Sequence, residues 1–136
     1  MNWYTTKRSI IFFLLLAATQ LFSHMSLAKD NLLCFGGISS QNKTNFVELI
    51  ETPNNPNNFL TGSIVYGNNL IIFTVQKDMS NLFHYRAHIY ESEIDLINGT
   101  TQQIPARMSA PLENNQELFM ECKPYSTKEY CRTHTC

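Results

Sequence analysis

The stretch Leu70-Ile71-Ile72-Phe73-Thr74-Val75 is the most apolar in the chain outside its N-terminus. It lies between two similar runs, residues 60–66 and 82–90, joined to it by Gly67-Asn68-Asn69 and by residues 77–81. Alternation is clear in all three. Leu60, Gly62, Ile64 and Tyr66 share one face, as do Ile71, Phe73 and Val75. In the third, Phe83, Tyr85, Ala87 and Ile89 alternate with His84, Arg86, His88 and Tyr90. A period of two, apolar inward and polar outward, is the pattern of half-buried antiparallel strands. Residues 59–97 therefore read as a meander around which the rest of the chain is organised.

Outward from this centre, Ile94 and Leu96 fall on even positions after the odd apolar series ends at Ile89. A change of parity implies a bulge or break near residues 91–93. Asn98-Gly99 is the strongest short turn signal, because both residues tolerate positive φ. It predicts a hairpin with arms at 93–97 and 100–104, the second ended by Pro105. Residues 106–115 read as loop, and residues 117–123 as a strand with Leu118, Met120 and Cys122 inward and Glu117, Phe119 and Glu121 outward. Residues 129–136 read as a short returning strand. Toward the N-terminus, residues 32–35 form a strand stopped by Gly36-Gly37, and residues 45–51 a second. Pro-Asn-Asn-Pro-Asn-Asn at 53–58 is a loop. The expected fold is all-β, with no helix in the mature chain: a small antiparallel meander closing into a barrel or a two-sheet sandwich, stabilised by disulfides.

Residues 1–28 have a different character. Lys7 and Arg8 precede an apolar run from Ile10 to Ala18, and Ser26-Leu27-Ala28 supplies small residues for cleavage after Ala28. This is the grammar of a secretory signal peptide. The run is too short for a spanning helix, which needs about 20 apolar residues. The mature chain is then residues 29–136, one domain, secreted or periplasmic. Without Lys7 and Arg8, eight basic residues face all eleven acidic ones, a formal net charge of −3. No basic stripe is left for nucleic acid, and no polybasic face for a membrane. Cys34, Cys122, Cys131 and Cys136 all lie in the mature part and read as two disulfides. One bridge must join the two ends of the domain. The preferred pairing is Cys122–Cys131 across a terminal hairpin with Cys34–Cys136 as closure.

The candidate chemistry is sparse. His84 and His88 would share a metal on a helix, but on a strand they stand roughly 13 Å apart at about 3.3 Å per residue. No Ser sits in a nucleophile elbow, the Ser63 after Gly62 being within a strand, and Gly36-Gly37 lacks the partners of a phosphate loop. Glu91, Glu93 and Asp95 read as an acidic surface rather than a glycosidase pair. No cofactor or metal is implied. Asn42-Lys43-Thr44 and Asn98-Gly99-Thr100 match the glycosylation pattern and fall in expected turns. The outward series His84, Arg86, His88, Tyr90 is the candidate binding face, since Tyr and Arg are enriched at recognition hot spots. Two functions fit: an exported, non-catalytic β module that binds another macromolecule (a protein or glycan, in an inhibitor- or adhesion-like role), and a small-ligand carrier with an apolar barrel cavity. A hydrolytic enzyme has the least support.

Overall fold

The computed structural model describes residues 32–51 and 59–136. The expected signal peptide and the Pro-Asn loop lie outside the described residues. Among the described residues nine strands form two antiparallel sheets. They are β1 (Leu32–Ser39), β2 (Thr44–Glu48), β3 (Ile50–Glu51), β4 (Phe59–Tyr66), β5 (Asn69–Lys77), β6 (Phe83–Ile89), β7 (Asp95–Thr101), β8 (Ala106–Pro111) and β9 (Glu117–Pro124). One sheet has the order β2-β1-β9-β8 and the other β3-β4-β5-β6-β7.

The meander is present as read. Phe73, Val75, Tyr85 and Ala87 are completely buried, and Ile71 almost so. Gly67 takes the positive φ (59°) needed in the two-residue β4–β5 turn, where Tyr66 pairs with Asn69. The inward side chains of both sheets form one core, in which Cys34, Leu118, Met120 and Cys122 meet Phe73 and its neighbours. Gly36 on β1 lies directly under the Phe73 ring, and a Cβ there would collide with it.

The chain passes between the sheets at both edges. Residues 45–51, read as one strand, are split at Leu49. This buried residue donates its N–H to the Cys34 carbonyl (2.8 Å) and turns the chain from β2 into β3. At the other edge residues 102–105, with a cis Ile104–Pro105 bond, carry β7 over to β8. The two sheets are not closed into a barrel, because the hydrogen-bonded ladder stops at β7 and begins again at β8.

Several expectations are corrected. Asn98-Gly99 is not a hairpin turn. It lies inside β7, where Asn98 pairs with Arg86 and Gly99 with Tyr85. The β6 ladder outweighs the local turn preference, and Gly99 gives room to Met108, whose Sδ would stand 2.7 Å from a Cβ. Asn98 is thus a strand residue, whereas Asn42 is an exposed turn residue. Residues 106–111 form β8 rather than loop, with Ala106, Met108 and Ala110 opposite Cys122, Met120 and Leu118. The parity change is a register shift at Ala87/His88, so that Ile97 turns inward and Ile94 stays exposed. Phe119 points outward as read, yet it is buried, because the Arg107 guanidinium lies over its ring at 4.3 Å.

The C-terminal segment is a helix, α1 (Thr127–Thr133), and not a strand. Ser126 caps it by accepting from the Glu129 N–H. The disulfides are Cys34–Cys122 and Cys131–Cys136. Cys34 and Cys122 face each other across β1 and β9, and the helix holds Cys131 close to Cys136, which rules out the preferred pairing. The expectation that one bridge joins the two ends of the domain holds. Disulfides persist in oxidising compartments. Among the described residues no helix is long and apolar enough to cross a membrane.

The Cys34–Cys122 loop closes 88 residues of sequence and the Cys131–Cys136 loop only 5. In the chain-entropy relation these closures are worth about 4.6 and about 2 kcal/mol. Urea denaturation of C34A/C122A and of C131S/C136S should therefore give unequal losses in that order. The Tyr85 hydroxyl is buried with no partner among the described residues, and burial pushes its pKa up to about 12. An unsatisfied buried hydroxyl costs about 1–3 kcal/mol. Y85F is expected to be as stable as the parent or more so by the same assay.

Candidate functional site

His84, Arg86, His88 and Tyr90 do stand on one side of the five-stranded sheet, along and just beyond β6. Their polar groups are largely engaged within the domain. His84 Nε2 lies 2.8 Å from Asp78 Oδ2. Asp78 Oδ1 also accepts from the Ser80 and Leu82 N–H groups, so this pair fastens the β5–β6 loop. The His84 bond, then these backbone donors, hold the Asp78 carboxyl below the usual range. Arg86 Nε donates to Asp95 Oδ1 at 2.7 Å, and Asn98 donates to the other oxygen of the same carboxylate. The Arg86 hydrogen bond likewise lowers the Asp95 pKa. His88 is half-buried with Nδ1 unpartnered among the described residues. Desolvation, helped by the Arg86 charge and opposed by Asp95, lowers its pKa. His84 and Arg86 are exposed as well, and Tyr90, past the end of the strand, is the exposed large hydrophobic of the four (54%). The four residues share a face without converging on a point.

A concave site lies at the end of the domain to which Tyr90 belongs. It is a cleft of about 470 Å³ lined by Tyr66, Asn69, Ile71, Ile89, Leu96, Pro111, Leu112 and Glu113. The wall residues come from the ends of β4 to β8, so the cleft sits where the two sheets part between β7 and β8. The adjacent outer face is also apolar. Val65 pairs with Leu70, and the Tyr90 N–H donates to the Leu70 carbonyl (2.8 Å), which sets Val65, Leu70 and Tyr90 in one row. Val65 is 72% exposed, and Ile94, whose carbonyl accepts from the Ile89 N–H, is 58% exposed. Sequence reasoning singled out Tyr90 but missed the cleft. Its far wall is Pro111, Leu112 and Glu113, in a region read as loop, and the signal available was the apolar Ala106-x-Met108-x-Ala110-x-Leu112 alternation.

A second constellation joins α1 to the four-stranded sheet. His134 Nε2 is 2.7 Å from Glu48 Oε2, and its Nδ1 is 2.8 Å from Thr133 Oγ1 and 3.2 Å from the Tyr130 carbonyl. The order carboxylate, imidazole, hydroxyl resembles a catalytic relay, but the protons do not fit one. Thr133 directs its hydroxyl to the Tyr130 carbonyl. The Glu48 bond, with the Tyr130 carbonyl and the Glu48 charge, raises the His134 pKa against desolvation. With Nε2 against Glu48 and Nδ1 against the Thr133 hydroxyl and the Tyr130 carbonyl, the ring acts as a clasp that ties α1 to β2. The ring also stacks on Tyr130 at 4.0 Å, and Tyr130 on Tyr125 at 4.9 Å. Among the described residues no three His, Cys, Asp or Glu side chains are placed to hold a metal ion.

No family model matches the chain, no curated protein matches it, and no solved structure matches it. The site is therefore read from its own geometry.

The clasp has a definite pH signature. Because the folded His134 pKa is raised, its contribution to stability is complete below the ordinary histidine value near 6.5. It is lost as pH rises through the folded value. An NMR titration of His134 should give a midpoint above that ordinary value in the parent and a return toward it in E48Q. For Asp78 and Asp95 the sign is opposite, their contribution disappearing as the pH falls through their lowered folded values.

Proposed function

We propose that the domain is an exported, non-catalytic module that binds another macromolecule, and that it does so through its cleft end. The carrying observation is the apolar cleft bordered by exposed Val65, Tyr90 and Ile94. Anchors that fill apolar pockets supply most of the energy of protein interfaces, and Tyr is enriched among them. The lining is mainly aliphatic, with Tyr66 its one aromatic and Asn69 and Glu113 its other polar contributors, and this suits a protein better than a glycan. The remaining chemistry supports a binding role, since the two His–carboxylate pairs fasten a loop and a helix and neither lines the cleft.

The cleft volume also favours a second reading, a carrier of a small apolar ligand, because ligand pockets span roughly 300–1,000 Å³. Against it, the space between the sheets is filled by Phe73, Tyr85 and Met120, and the cleft is an open end rather than an enclosed chamber.

V65S/Y90A/I94S separates these readings from each other and from a site elsewhere. All three positions are exposed, so thermal stability should stay close to that of the parent. The variant is expected to bind the protein captured by the exported parent at least tenfold more weakly, about 1.4 kcal/mol. F46S, at another exposed aromatic on the opposite sheet, should bind it normally. Retained binding by the triple variant with loss in F46S would move the site to the four-stranded sheet. A small molecule released on denaturation, with no protein captured, would support the carrier.

A further inference from the structure

Four turns meet at the cleft end, and their charges point to the chemistry of the occupant. Ser39 and Pro111 both pair with Glu117, which places turns 40–43 and 112–116 together. Tyr66 pairs with Asn69 and Ile71 with Ile89, which places turns 67–68 and 90–94 at one end of the other sheet. The cleft joins the two sets. Together these turns carry Glu91, Glu93 and Glu113, against Lys43 as their one basic residue. Two nearby carboxylates are already neutralised, Asp95 by Arg86 and Glu117 by Arg107 (2.9 Å). Among the described residues no cation pairs with Glu91, Glu93 or Glu113, and Glu113 itself lines the cleft.

An apolar hollow with an uncompensated acidic rim is complementary to an apolar group flanked by positive charge. The row of Val65, Leu70 and Tyr90, exposed at Val65 and Tyr90, lies on the outer face of the sheet, beyond the reach of a ligand confined to the cleft. The occupant must therefore be extended. We infer that the cleft end takes a basic polypeptide segment, seating a large aliphatic or aromatic side chain in the cleft and a neighbouring Lys or Arg beside Glu113, with the rest of the segment lying over Tyr90 and Val65. This rests on the macromolecule-binding reading and specifies its partner.

Three synthetic probes test it on the ¹⁵N-labelled exported protein: acetylated, amidated KLKF, its acidic counterpart ELEF, and KSKS, which keeps the charge and drops the apolar groups. KLKF is expected to shift the amides of Tyr66, Asn69, Leu96 and Glu113, with the other two at least tenfold weaker. E91Q/E93Q/E113Q should weaken KLKF about fivefold and flatten its salt dependence, with the rest of the spectrum unchanged. Equal binding of ELEF, or KLKF shifts centred on Phe46, would overturn the inference. If KLKF leaves the spectrum unchanged while V65S/Y90A/I94S still loses the captured protein, the basic-segment chemistry falls and the binding-module reading stands. If KLKF is inert and the triple variant also retains that protein, both fall. Octylamine reproducing the KLKF shifts at equal concentration would replace the polypeptide with a small cationic amphiphile.

Discussion

The ring of Phe73, projecting from the middle of β5, occupies the space that a side chain at position 36 would need on the opposite sheet. Beside it Cys34 and Cys122 are bonded across β1 and β9, and both are almost wholly shielded from water. Burying a phenylalanine contributes about 1.5–3 kcal/mol, and here that burial depends on the absence of a Cβ at Gly36. The same device recurs at Gly62, which would meet Leu49 Cδ2 at 2.8 Å, and at Gly99, which receives Met108. Large side chains thus enter gaps left by glycines facing them, and the two sheets close on each other until little space remains between them.

A filled centre decides where a ligand can go. Strands follow one another around the domain in sequence order, with β1 and β9 paired to bring the ends together. The ladder is broken at both edges, between β2 and β3 and between β7 and β8, and at each the chain crosses from sheet to sheet. The cleft lies at one end of the β7–β8 break. The same end carries exposed apolar residues and acidic turns, whereas the outer face of the four-stranded sheet is covered in part by cation–aromatic contacts, Arg107 over Phe119 and Lys123 over Phe35. On the proposed reading, recognition would follow from an incompletely closed fold rather than from a constellation of reactive groups.

The meander was legible because its alternation is strong and its burial follows it most closely from Leu70 to Val75 and from Phe83 to Ala87. Asn98-Gly99 misled because a local turn preference is worth less than the ladder that a long neighbouring strand supplies. β8 was missed because Ala106 and Ala110 are weak apolar markers. The helix did leave a signal in Ser126-Thr127-Lys128-Glu129, a capping box, but residues 127–133 lack the length and apolar periodicity that normally support one. The outward face of β6 was placed correctly. That Arg86 would be neutralised by Asp95 could not be read, since their proximity depends on the register shift at Ala87/His88.

The central claim is that the open end, and not the filled interior or the sheet faces, is the surface that accepts an apolar group. Solvent mapping tests it most directly, by following the amide and methyl spectra of the disulfide-bonded protein while isopropanol is added in small steps. The account predicts saturable shifts at Ile71, Ile89, Leu96 and Leu112, together with Tyr90. Shifts concentrated instead on Phe35 and Phe46, or spread evenly over both sheets, would contradict it.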